Sequence, residues 1–178
     1  FAKIGNSAIK TVYAFPVSIA GKAPAGLVPM GTWIIGEAVI TPPSVTPPSV
    51  TSVTPAAGQG SSQAFALTVN DPSGASDLAT VQLLIGTSNA NTSACSVTYL
   101  AQQGRFGLLN DAGTAYAGYV TPGQALTASN SQCTLSGSGS SVQTSGNSMT
   151  MTVNLQFTDG FAGSGGSATK SVYALPVN

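Results

Sequence analysis

No histidine occurs in the 178 residues. Its absence excludes Ser-His-Asp and Cys-His catalysis and removes a principal ligand of the usual zinc sites. Charge is almost as scarce. Five Lys and Arg balance five Asp and Glu, 6% of the chain and zero net, where an ordinary soluble domain carries about 25%. A neutral surface without clustered Lys and Arg offers no electrostatic basis for holding nucleic acid or an anionic membrane. Long apolar runs are lacking too. The most hydrophobic stretch, GLVPMGTWIIGEAVI at 26–40, is broken by Pro29, Glu37 and its glycines, and falls short of the roughly 20 apolar residues that span a bilayer. No window shows a helical hydrophobic period. The chain opens at Phe1 with no leader-like stretch, as expected of a segment whose leader or upstream region has been removed. The five acids, Glu37, Asp71, Asp77, Asp111 and Asp159, are scattered. Nothing in their spacing sets up the facing carboxylates of a glycosidase. These absences lead us to expect no enzyme.

What remains is apolar side chains and uncharged polarity. Hydrophobic residues make up 42% of the chain, enough for one sizeable core. Polarity falls to Ser, Thr, Asn, Gln and the backbone, a balance that suits a secreted or glycan-coated surface. Two cysteines, Cys95 and Cys133, in so Ser/Thr-rich a chain point to one disulfide in an oxidising compartment. A reactive thiol pair is the alternative, without a CxxC spacing to support it.

Three parts follow one another. Residues 1–40 hold two strand-like runs. Residues 41–55 read TPPSVTPPSVTSVTP, a TPPSV repeat whose Pro-Pro pairs fix φ and remove amide donors. It is expected to be an extended, polyproline-like linker, a stiff spacer or a carrier of O-glycans on its Ser and Thr. Residues 56–178 alternate with period two. In SMTMTVNLQF, Met149, Met151, Val153, Leu155 and Phe157 share one face, and polar residues take the other. AFALTVN does the same with Phe65, Leu67 and Val69, and ATVQLLIG with Val81, Leu83 and Ile85. ACSVTYLA is a further strand candidate. The segments NDPSG, NDAGT, TPGQ, SGSGSS and TDG are expected to be turns. Many short strands between such turns predict an all-β sandwich or barrel.

The chain also repeats itself. With an offset of 160, residues 1–18 and 161–178 match at 11 of 18 positions without a gap, among them Lys10 with Lys170, Val12 with Val172, Tyr13 with Tyr173 and Pro16 with Pro176. The window thus holds one period of about 160 residues and an overlap. Proline inside a strand forfeits a ladder bond, so both VYA strands are expected at a sheet edge, a natural docking point for another chain.

FALTVNDPSGASDLATVQLLIG, ACSVTY, GLLNDAGTAYAGYVTPG, LTASNSQCTL and TMTVNLQFTDGFAG, in that order, resemble an immunoglobulin-like repeat of large secreted bacterial surface proteins. Such a unit ends on an SVYA strand, a glycine-bearing turn and a GTW strand. TVYAFPVSIAGKAPAGLVPMGTWII supplies that ending ahead of the linker, whereas the second VYA strand runs to Asn178 without a GTW strand in the window. The resemblance implies an Ig-like antiparallel β-sandwich at 56–178, a disulfide between Cys95 and Cys133, and tandem or polymeric use with neighbouring copies. It supplies no catalytic residues. Residues 1–40 then read as the end of a preceding repeat or as donor strands, with Lys10, Val12, Tyr13, Phe15, Trp33, Ile34 and Ile35 forming the assembly strand.

Other candidates carry two readings each. Asp71 and Asp77, around a glycine turn, are a candidate Ca²⁺ pair, the only cofactor considered; the weightier reading is that Asp71 caps a turn and Asp77 hydrogen-bonds backbone amides. Asp111 is expected to accept backbone hydrogen bonds within its own turn. Asn91 stands in NTS, an N-glycosylation sequon. Trp33, the only tryptophan, is read as a core plug rather than a sugar-stacking platform. Lys10 and Lys170 are remote candidates for an isopeptide crosslink. The expectation is an extracellular structural or adhesive repeat, with a carbohydrate-binding accessory module as the alternative.

Overall fold

The computed structural model describes residues 8–14, 28–35, 46–163 and 168–178. The chain divides into two compact units, Phe1–Ser44 and Val45–Asn178. In the first, β1 (Ala8–Ala14) and β2 (Val28–Ile35) pair antiparallel, with Lys10 opposite Trp33 and Thr11 opposite Thr32. The register shifts between Val12 and Tyr13.

The second unit is an all-β sandwich of two antiparallel five-stranded sheets. The first sheet runs β3 (Ser49–Thr54), β4 (Ser62–Asn70), β11 (Ser148–Phe157), β10 (Cys133–Ser145), β9 (Thr127–Ser129). The second runs β12 (Ser171–Val177), β5 (Thr80–Gly86), β6 (Cys95–Leu100), β7 (Arg105–Leu109), β8 (Tyr116–Val120). A four-residue helix, α1 (Asp159–Ala162), follows β11. At one side of the sandwich β3 lies near β12, and at the other β8 lies near β9.

Period-two patterning explains the layers. On β4, Phe65, Leu67 and Val69 are buried; on β11, Met149, Met151, Val153 and Leu155 are buried between half-exposed polar neighbours. They meet Val81, Leu83 and Ile85 of β5, Val97 of β6 and Phe106 and Leu108 of β7 in one core. Alternate residues leave the outer face polar, where the hydroxyls of Thr68 and Thr150, directly paired across β4 and β11, lie 3.0 Å apart. The outer face of β5 and β6 is covered instead. Gln82 donates to Asn91 Oδ1 (2.7 Å) and Ser96 Oγ (2.8 Å), fastening the 87–94 loop over Leu84 and Ser96, both buried. That cover lets Leu83, Leu84 and Ile85 be apolar in succession.

Cys95 of β6 and Cys133 of β10 form a disulfide that joins the two sheets, with both cysteines fully buried. The bridge expected from composition and from the resemblance is present.

Two expectations need correction. The 41–55 segment is not a linker throughout: residues 49–54 form β3 and pair with β4. SVTSVT is free of proline, so its amides are available to the ladder, and four of its six residues, Val50, Thr51, Val53 and Thr54, are β-branched. Residues 41–45 lie outside the described residues. SGSGSS, expected as a turn, lies inside β10, where the register against β11 shifts between Ser136 and Ser141. It is a bulge within a strand that continues on both sides.

Candidate functional site

The open side of the sandwich is built from β12 and β3. Among the described residues β12 is hydrogen-bonded on one side only, to β5, from Ser171↔Gly86 to Val177↔Thr80. Pro176 stands opposite Val81, so the missing amide falls on an edge strand, as its chemistry requires. Pro16 lies outside the described residues. Val172 and Ala174 turn inward against the core, while Leu175 and Val177, with Val50 of β3, are exposed large apolar side chains at this side of the unit.

A cleft lies at the β12 start. One part is a cavity of about 270 Å³ lined by Pro55–Gly60, Ser62, Gln63, Phe65, Ile85, Phe157, Thr169, Lys170 and Val172. It shares Ile85, Phe157, Thr169 and Lys170 with a wider recess of about 950 Å³ that extends to Thr158, Phe161 and Ala168. Local chemistry shapes its floor. Thr158 caps α1 by accepting from Phe161 N–H (3.3 Å), and its hydroxyl donates to Ser131 O (2.7 Å). This buries Phe161, whose ring stacks on Phe157 with centroids 5.8 Å apart. The Lys170 ammonium lies 4.3 Å above the Phe161 ring, a cation–π contact at the lip.

The other candidates resolve into structural duties. Asp71 is fully buried and caps its turn: Oδ1 accepts from Ser73 N–H (2.8 Å), while Oδ2 has no partner among the described residues. Asp77 is exposed in a single 3-10 turn and accepts from Asn178 Nδ2 at 3.4 Å. No group of three or more His, Cys, Asp or Glu side chains that could hold a metal occurs among the described residues. The half-buried Asn91 uses its side-chain oxygen to hold the 87–94 loop, accepting from Gln82 and Ser96. Lys10, Val12, Tyr13, Trp33, Ile34 and Ile35 lie on β1 and β2, and Phe15 and Glu37 outside the described residues. Among the described residues, β8 carries two neighbouring tyrosines. Tyr116 and Tyr119 of β8 lie 5.1 Å apart, but the Arg105 guanidinium covers one face of Tyr119 at 3.8 Å.

Asp111 does not bond within its own turn. Asn110 does that, accepting from Thr114 N–H (3.0 Å). Asp111 reaches across to accept from Ser131 N–H (3.0 Å). The Ser131 hydroxyl and then its backbone N–H hold the Asp111 carboxyl below the usual carboxylate range. A depressed folded-state pKa contributes stability that is present above the unfolded value of about 3.9 and lost as pH falls through the folded value. Asp111→Asn retains the acceptor oxygen and removes the charge. The Tm difference between wild type and this variant is expected to be small, because the carboxyl is exposed, and to shrink as pH falls below about 4. Thermal melts from pH 7 to pH 2 check it, and a constant difference counts against this linkage.

Asn130 escaped the sequence reading. Its Nδ2 donates to Ala94 O (3.1 Å) and Leu109 O (2.9 Å), and its Oδ1 accepts from the N–H groups of Gln132 and Cys133 (both 2.9 Å). It therefore positions one end of the disulfide. The signal available was an Asn three residues before a Cys, the spacing of a side-chain-to-backbone turn.

The chain matches no protein-family model, no curated protein and no solved structure. No helix among the described residues is long and apolar enough to cross a membrane.

Proposed function

We propose that this chain is a non-catalytic extracellular structural or adhesive unit of Ig-like type, joined to neighbouring copies through the edge of β12 in a surface array or filament. One observation carries the proposal. The edge strand β12 repeats the residues of β1, a strand that in this same chain pairs with a further strand, β2. An edge strand with unused N–H and C=O groups and apolar neighbours is a template for strand addition. Val50, Leu175 and Val177 are exposed apolar side chains at the same side of the unit. The buried disulfide and the uncharged polar surface fit an oxidising, extracellular setting.

The test is association of the intact chain. Sedimentation velocity over a concentration series, with negative-stain electron microscopy of the same samples, is expected to show multimers growing with concentration and elongated particles at the upper end. A chain that stays monomeric across the series, with no elongated particles, sinks the proposal.

A further inference from the structure

We propose that the outer face of β7 and β8 binds an acidic glycan, with a sugar ring stacked on Tyr116 and a uronate carboxylate paired to Arg105. The proposal gives the adhesive reading above a ligand class. It uses the end of the sheet opposite β12, so its fate and that of the assembly are measured separately.

The platform follows from one glycine and one bulge. Phe106 and Leu108 of β7 point into the core, so Arg105 and Gly107 face outward, and Tyr119 lies opposite Gly107 on the same face. Tyr116 is three residues from Tyr119, a spacing that strict alternation would send to the other face. The register shift between Leu108 and Leu109 re-aims it. A Cβ at Gly107 would stand 2.5, 2.7 and 3.1 Å from Cδ1, Cε1 and Cγ of Tyr116. With three consecutive ring atoms so near, the ring turns a face, not an edge, toward the glycine. Its other face points away from the sheet. Tyr119, 41% exposed, flanks it with centroids 5.1 Å apart and planes at 48°, and the pair forms a shallow aromatic surface. The negative face of such a ring attracts the C–H edge of a pyranose, which is partially positive.

The charge beside the platform selects the sugar. Arg105 is the only arginine in the chain. Its guanidinium lies 3.8 Å over the Tyr119 ring, and its Nε donates to Gln103 Oε1 (2.8 Å). Stacking and that bond orient the fork and leave its terminal N–H groups for a carboxylate, which they take in bidentate fashion. The described acids are engaged elsewhere: Asp71 by Ser73, Asp77 by Asn178 and Asp111 by Ser131, with Asp159 on α1. The guanidinium adjoins Tyr119, and Tyr119 adjoins Tyr116, so cation and platform lie within the length of a disaccharide. A uronic acid polymer carries both matching groups, a pyranose face and a carboxylate. A single cation with two rings makes a weak site, and its repetition along an array of copies multiplies the hold.

Calorimetric titration of the intact chain with tetragalacturonate, and with its methyl ester, tests this. The ester keeps the sugar rings and removes the charge. The acid is expected to bind at least about tenfold more tightly at low salt, with the difference shrinking at high salt. Arg105→Gln is expected to bring the acid down to the level of the ester. Gly107→Ala is expected to weaken both about tenfold, because its methyl displaces the Tyr116 ring, a side chain free to swing outward while the strand stays paired. Thermal melts confirm that each variant folds, and Tyr116→Leu replaces Gly107→Ala if that variant does not. A wild type that binds neither sugar, or binds acid and ester alike, overturns the proposal. Tetraglutamate bound as tightly as tetragalacturonate overturns it in favour of a bare anion contact. Full acid preference in Arg105→Gln, or full affinity in the platform variant, overturns this placement of the site. None of these results alters the sedimentation test of assembly.

Discussion

Removing the Cys95–Cys133 bridge is expected to cost about 4 kcal/mol, because the crosslink closes a 38-residue separation and shrinks the unfolded ensemble by that much loop entropy. For a unit of this size the loss corresponds to roughly 10–15 °C in Tm. The bridge is also a side-chain crosslink between the sheets, joining β6 to β10 at positions with no solvent exposure. Neither sheet of a sandwich buries its apolar face without the other. The Cys95→Ala/Cys133→Ala double variant, melted in urea beside the wild type, gives the measurement. A lower midpoint with a steeper m-value is expected, since the uncrosslinked chain exposes more surface on unfolding. A midpoint shift of under 1 kcal/mol would show that core packing alone sets the stability. Thermal unfolding in reductant is expected to follow the double variant.

The sandwich was legible because half-buried antiparallel strands write their burial into the sequence with period two. SMTMTVNLQF coincides with β11, and its alternate Met, Val and Leu are the buried ones. The disulfide was legible because two cysteines leave one pairing. The edge position of β12 was legible through Pro176. What failed depended on partners distant in sequence. The proline pairs of the TPPSV segment masked the strand that follows them, because pairing with β4 decides that strand. Asp111 is held by Ser131, twenty residues on, not by its own turn. The cleft draws on residues near 55–63, 85, 157–161 and 168–172, and no local pattern announces a space between four segments. Phe161 and Lys170 did appear in the 160-residue repeat, without a sign that one would floor the cleft and the other line its lip.

SGSGSS looked like a turn because glycine and serine mark bulges and turns alike, and here the distinction sets the cost of one methyl group. Between Ser136 and Ser141 the extra residues of β10 are satisfied internally: Ser140 Oγ donates to Ser136 O (2.6 Å) and accepts from Asn154 N–H (2.9 Å), and Asn154 Nδ2 donates to Ser138 O (3.1 Å). The 121–126 turn docks on this bulge. Gly137 N–H donates to Leu126 O and Gly123 N–H donates to Gly137 O, both at 2.8 Å. A Cβ at Gly137 would stand 2.6 Å from the carbonyl oxygens of both Thr121 and Gln124. Those are backbone atoms, so relief requires the turn to move off the bulge and give up the two hydrogen bonds. Gly137→Ala is therefore expected to lose roughly 3–4 kcal/mol, from overpacking together with two neutral hydrogen bonds. Gly146→Ala is the control. Its φ of +56 is strained for alanine, but no atom lies within 4 Å of the added Cβ, so about 1 kcal/mol is expected. Urea denaturation of the two variants in parallel decides the matter. Equal losses would mean that backbone conformation alone governs both glycines, and that the turn yields to a methyl group without surrendering its bonds to the bulge.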